Sequence, residues 1–164
     1  MRPQSRLLLF AAILPAVVAG GCFKAPATAS DSGQPHRHHH HPPHGGTPVV
    51  LGDGDYHVEL VLDGPTGRLQ AFVLDDEMEE FVRSSSPSIV IVSPAGGAPR
   101  EVILAAVANA ETGETVGDTA LFEGRADWLL GAAPFDGVMK SITIRGTTYT
   151  DVRFSFPKGN DTDG

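Results

Sequence analysis

Val138-Met139-Lys140-Ser141-Ile142-Thr143-Ile144-Arg145-Gly146-Thr147-Thr148-Tyr149-Thr150-Asp151-Val152-Arg153-Phe154-Ser155-Phe156 decides the fold class. Two β-branched and aromatic runs flank the tight pair Arg145-Gly146, which is the pattern of a hairpin. In the second run Val152, Phe154 and Phe156 alternate with Asp151, Arg153 and Ser155, so one face is apolar and the other polar. Pro157 ends it, and residues 158–164 read as a polar, flexible tail.

Working back from this hairpin, the same signature repeats. Tyr56, Val58, Leu60 and Leu62 alternate with His57, Glu59, Val61 and Asp63; the turn cluster Asp63-Gly64-Pro65-Thr66-Gly67 follows, then a second run at 68–74. Residues 56–74 are thus predicted as a second hairpin. A short first strand at 47–51 carries Pro48, which suits a sheet edge. The continuous run Ser88-Ile89-Val90-Ile91-Val92 suits a strand covered on both faces. Further strands are expected at 101–108 and 119–123, and a single helical turn at 126–130 should carry the sole tryptophan, Trp128, across an open end of the sheets. Asp75-Asp76-Glu77-Met78-Glu79-Glu80 is too acidic to bury unpaired and reads as a solvated loop or an exposed turn. The expectation is an all-β domain over residues 47–157, an antiparallel β-sandwich of about eight strands, with a small β-barrel as the competing closure. Strand count does not fix strand order, and both closures remain open at this point.

The chain ahead of that domain is of a different kind. Met1-Arg2-Pro3-Gln4-Ser5-Arg6 precedes an apolar stretch at 7–18, then Ala19-Gly20-Gly21-Cys22. Basic residues, an apolar core shorter than the roughly 20 residues of a spanning helix, and small residues before a cysteine predict a signal peptide over 1–21. The last four residues resemble the bacterial lipobox, in which the cysteine is lipidated and becomes the new N-terminus, although Ala19 stands where leucine is usual. The resemblance implies lipidation of Cys22, and Phe23, in place of the retaining aspartate, implies outer-membrane delivery. An ordinary secretory signal cut after Ala19 or Gly21 is the alternative. Cys22 is the only cysteine, so the fold is expected to stand without disulfides.

Residues 22–46 read as a disordered tether of Ala, Ser, Thr, Pro, Gly and His, with almost nothing to fill a core. It holds His36, His38, His39, His40, His41 and His44, all but one of the chain's 7 histidines. Neutral imidazole suits Zn, Cu and Ni, and several on one flexible stretch can wrap a divalent ion. Binding should fade as pH falls below about 6.5, where protons compete for the ring nitrogens. A spacer that drifted toward histidine without selection for metal is the bland alternative. Within the domain, His57 and Glu59 share one strand face and form a candidate structured metal pair, with Asp53 or His44 as a third ligand. The ordinary alternative makes them solvent-facing strand residues.

The net charge is −8, and loss of residues 1–21, which contain Arg2 and Arg6 and no acid, makes the mature chain more acidic still. Such a surface opposes nucleic acid and anionic lipid. No enzyme is expected: the proposed domain holds one imidazole, His57, and no cysteine, and Ser84-Ser85-Ser86 lacks the Gly-x-Ser-x-Gly elbow. No required cofactor is implied.

His44-Gly45-Gly46, Gly52-Asp53, Tyr56-His57-Val58-Glu59-Leu60-Val61 and the segment from Gly146 through Tyr149, Val152, Phe154 and Phe156 to Pro157 carry a family likeness. Together they resemble small uncharacterised lipoproteins of planctomycete-like bacteria with a His-rich leader and a His-Gly-Gly opening. The opening is also similar to segments of periplasmic proteins that accompany heavy-metal efflux systems, which implies His44 as a candidate ligand. The function these readings imply is a lipid-anchored envelope protein that binds or buffers divalent metal through its tether. The alternative is a tethered β-domain that binds another envelope protein or polymer through an exposed strand.

Overall fold

The C-terminal hairpin is the longest pair of strands among the described residues. A computed structural model describes residues 41–94, 98–132 and 134–161. In it β7 (Phe135–Ile144) and β8 (Thr147–Phe156) pair antiparallel along their whole length. Arg145 and Gly146 take φ of 48° and 85°, the left-handed pair that a two-residue turn between twisted strands needs. The predicted signal peptide, Cys22, His36, His38, His39 and His40 lie outside the described residues.

The remaining strands are β1 (Thr47–Leu51), β2 (Tyr56–Asp63), β3 (Arg68–Leu74), β4 (Ser88–Ser93), β5 (Arg100–Ala106) and β6 (Leu121–Arg125). All eight strands form one antiparallel sheet in the order β1-β2-β3-β6-β5-β4-β7-β8. The all-β expectation holds, and of the two closures left open by the sequence the molecule adopts the barrel-like one. A 3-10 turn, Asp127–Leu129, places Trp128 against the core, where its indole N–H donates to the Glu101 carbonyl at 3.1 Å and its ring meets Phe135 edge-on. Among the described residues no helix is long and apolar enough to cross a membrane.

Alternation fills the barrel interior. Val58 and Leu60 of β2, Leu69, Ala71 and Val73 of β3, Ile89 and Ile91 of β4, Leu104 of β5 and Phe122 of β6 are fully buried in one cluster. Each large side chain of this kind contributes about 1.5–3 kcal/mol relative to exposure. β4 differs from the sequence reading. Its run alternates buried with half-buried positions, so Val90 and Val92 lie on an outer face that is only partly covered.

The C-terminal hairpin changes face midway. Phe135 and Met139 are buried at even spacing, and then Ile142 and Ile144, a step of three. The register stays continuous through Met139↔Val152, Ser141↔Thr150 and Ile142↔Tyr149, so both strands turn over together. Asp151 takes φ of 51° at this point, and its carboxylate pairs with the Lys140 ammonium across the kink.

The last gap is sealed by a side chain. β1 and β8 share no ladder, but Asn160 Oδ1 accepts from the Val50 N–H at 2.7 Å and Asn160 Nδ2 donates to the Val50 carbonyl at 3.1 Å. One amide thus stands in for a missing strand neighbour on the edge that Pro48 marks. Gly159 is buried against the Pro48 carbonyl, where a Cβ would come within 2.1 Å. The folded body therefore continues past Pro157 to Asn160, into the segment that the sequence reading gave to a flexible tail. Asn160→Ala should lower stability by about 1–2 kcal/mol, read from urea unfolding, because two backbone groups lose their partners. An unchanged midpoint would mean that the seam is held by other contacts.

Candidate functional site

The chain enters the barrel through a turn of Pro42, Pro43, His44 and Gly45, closed by the Gly45 N–H donating to the Pro42 carbonyl at 3.0 Å. Gly45 takes φ of 68°, which glycine adopts without strain. Beneath this turn lies Glu59. On β2 it stands opposite Pro48 of β1 and Phe72 of β3, on the outer face of the sheet, yet it is 0% exposed.

Its burial is matched by hydrogen bonds. Oε1 accepts from the backbone N–H of His44 at 2.9 Å and of Gly46 at 2.8 Å, and Oε2 lies 2.8 Å from His44 Nδ1. A carboxylate only accepts, so the proton in this contact is carried by His44 Nδ1. Gly46 is required for this approach. A Cβ there would stand 2.6 Å from the Leu60 carbonyl oxygen and 2.8 Å from both Glu59 Cγ and Val61 Cγ2.

The His44 ring is held from the side as well. It stacks on Phe72 with centroids 3.9 Å apart and planes 14° from parallel, and Phe81 closes the cluster at 6.0 Å. The ring edge remains open, with the His44 side chain 36% exposed. His41, at the start of the described chain, is also exposed.

The sequence-predicted trio is not brought together. His57 and Glu59 do share a face, but neither is solvent-facing as the ordinary reading had it: His57 is 4% exposed and Glu59 fully buried. His57 Nδ1 lies 3.1 Å from the Asp75 carbonyl, under the acidic loop. Asp53 is exposed in the β1–β2 turn, beside an open polar cleft that also holds Asp55, Asp76 and Tyr149. Among the described residues no group of three His, Cys, Asp or Glu side chains is placed to hold a metal ion. Glu59 instead takes His44, which the sequence offered as the other candidate for third ligand.

The acidic loop is more ordered than its composition suggests. Asp75 Oδ1 accepts from the Glu79 and Glu80 N–H groups at 2.9 and 3.2 Å. Met78, at φ of 58° and 3% exposed, turns inward while its acidic neighbours Asp76, Glu77, Glu79 and Glu80 stay exposed.

Beyond Phe72 an open groove of about 400 Å³ runs past Phe81, Leu121 and Ala120 to Arg83 and Glu114. Arg83 ties the 109–118 loop to this rim through the Thr112 carbonyl at 2.6 Å and Asp118 at 2.8 Å. Glu114 accepts from Thr112 Oγ1 at 2.6 Å and from the Ala120 N–H at 2.8 Å. The Thr112 hydroxyl first, then the Ala120 amide, hold its carboxyl below the ordinary 4.5. A depressed folded-state value means that this stabilisation is present above pH 4.5 and is lost as pH falls through the lower folded value. Glu114→Gln should therefore reduce stability at neutral pH and flatten the acid side of the profile, measured by urea unfolding across that window. An acid limb as steep as in the parent would place the titrating group elsewhere.

The described serines of the Ser84-Ser85-Ser86 segment serve the scaffold. Ser84 Oγ donates to the Thr143 carbonyl at 2.8 Å, and Ser86 Oγ accepts from the Thr143 N–H at 2.8 Å. Comparison with protein-family models, with curated proteins and with solved structures returns no match.

Proposed function

We propose that this chain is an exported, non-enzymatic envelope lipoprotein that binds divalent metal through its histidine-rich lead-in. Lipid on Cys22 holds it on the outer membrane, and the acceptors are His36, His38, His39, His40, His41 and His44. One observation supports the reading above the others: the histidine run ends on the barrel, with His44 oriented by the buried Glu59 carboxylate. Metal-binding histidines characteristically donate their second ring nitrogen to a carboxylate in this way. Zn, Cu and Ni are the ions that imidazole donors suit, and the acidic balance of the chain favours cations.

A second reading, an interaction module binding another envelope protein or polymer, draws on Phe81, which is 56% exposed beside the Phe72 groove. The edge strand is a weaker candidate for that role, because Asn160 already occupies both backbone groups of Val50.

Calorimetric titration of zinc into residues 22–164 carrying Cys22→Ser separates the two. Binding at about pH 7.5 that weakens sharply at about pH 5.5 is expected, since imidazole protonation competes with the metal. Replacement of His36, His38, His39, His40 and His41 by serine should remove most of the heat. An absence of binding by the parent at the higher pH would sink the metal reading.

A further inference from the structure

One row of residues crosses four neighbouring strands on the outside of the barrel. The pairings Glu101↔Val92, Val92↔Val138 and Val138↔Arg153 set these side chains next to one another over β5, β4, β7 and β8. Alternation puts all four outside, because their strand neighbours Val102, Ile91, Met139 and Phe154 are the buried ones. The row therefore reads acid, apolar, apolar, base. Val92 and Val138 are half-buried, whereas Glu101 and Arg153 are exposed. Among the described residues neither charged side chain makes an ion pair or a hydrogen bond; Glu101 is engaged only through its backbone.

We infer that this face binds a second copy of the chain, with a two-fold axis running along the strands between β4 and β7. A half-turn about that axis lays the second face on the first and exchanges its two sides. Val92 then lies over Val138 of the other copy and Glu101 over its Arg153, and the symmetry makes each contact twice. An axis across the strands would instead set Glu101 on Glu101 and Arg153 on Arg153. The order of charges thus selects both the occupant and its orientation.

Two positions along the strands, Ile103 stands opposite Val90 and is 55% exposed, which widens the apolar strip. On β7 the corresponding position is Lys140, whose ammonium is taken by Asp151, leaving its alkyl stem to cover apolar surface. The row spans four strands, about 14 Å at the ordinary strand spacing. Such a contact belongs to the small, weak class, with a dissociation constant roughly between micromolar and millimolar. Copies of net charge −8 repel one another in general, so the Glu101–Arg153 pairs fix register more than strength. No histidine belongs to the row, and the inference is independent of the metal reading.

The test is sedimentation equilibrium of residues 22–164 with Cys22→Ser in EDTA, which removes dimers bridged by the cysteine or by metal. A monomer–dimer equilibrium is expected. Glu101→Arg and Arg153→Glu each place like charges at both contacts and should weaken association at least about tenfold. Mixed in equal amounts, the two variants should regain it, because every contact again joins a base to an acid. The double variant E101R/R153E should dimerise as the parent does. Val138→Thr keeps the β-branch that the strand favours and should weaken the dimer from its centre. Circular dichroism verifies the fold of each variant. No association at roughly 1 mM, where a millimolar complex would engage half the chains, overturns the inference. A dimer that survives both single reversals overturns it too, since the copies then meet through another surface. Single variants that stay monomeric when mixed do the same, because the charge pairing is then not what joins the copies.

Discussion

Replacing Glu59 with alanine is expected to destabilise the barrel by about 1–3 kcal/mol, the range for leaving buried hydrogen-bond donors without their acceptor. The loss is large because the carboxylate is fully buried and serves two backbone N–H groups and one imidazole at once. Alanine would leave those donors without an acceptor and release the turn that carries His44. Glutamine should lose far less, since one oxygen still serves both amides. Urea unfolding at neutral pH reads the difference, and hydrogen exchange at the His44 and Gly46 amides locates it. A cost below about 1 kcal/mol for alanine would mean that the turn is held by the Phe72 stack and not by the carboxylate.

Gly46→Val is the second large effect, expected at roughly 3 kcal/mol, the upper part of the range for forcing atoms into a packed site. The new Cβ would come within 2.6 Å of the Leu60 carbonyl oxygen, and backbone cannot move aside as the end of a side chain can. The neighbouring Gly45 supplies the control. Nothing lies within 4 Å of its added Cβ, so Gly45→Ala meets only the strain of a residue at φ of 68°, on the order of 1–2 kcal/mol. Equal costs at the two positions in thermal unfolding would show that close approach of the turn to β2 is not what requires Gly46.

Much of the barrel was legible because alternation is a local signal. Tyr56–Asp63, Arg68–Leu74 and Thr147–Phe156 are strands at the limits that their sequences indicate, and Pro48 correctly marks an edge. Closure was not legible. It depends on β3 pairing with β6 and β4 with β7, contacts between runs far apart in the chain, and on the Asn160 amide, which in the sequence is one polar residue of a polar tail. The face change in the C-terminal hairpin does leave a trace, the three-residue step from Met139 to Ile142, but a step of three between apolar residues has no single structural meaning.

The candidate site shows the same limit. Period-two spacing put His57 and Glu59 on one face, and it said nothing of what covers that face. The cover comes from residues 41–46 and from the loop at 75–80, whose composition reads as solvated. The Gly45-Gly46 pair was the visible clue, because two glycines before a strand allow both a left-handed turn and a close backbone approach. His44, assigned by composition to the tether, is structurally the first side chain of the barrel's outer face.

The most direct test of the account is thermal unfolding of residues 22–164 with Cys22→Ser, with and without saturating zinc at about pH 7.5. A ligand that binds the folded chain and not the unfolded one stabilises it by mass action. If His44 joins the histidine run to the barrel, zinc raises the Tm of the parent and leaves that of His44→Asn close to its zinc-free value. Zinc that binds, by calorimetry, yet leaves the parent Tm unchanged would contradict the account, because the histidines would then bind metal as a free chain to which the barrel contributes nothing.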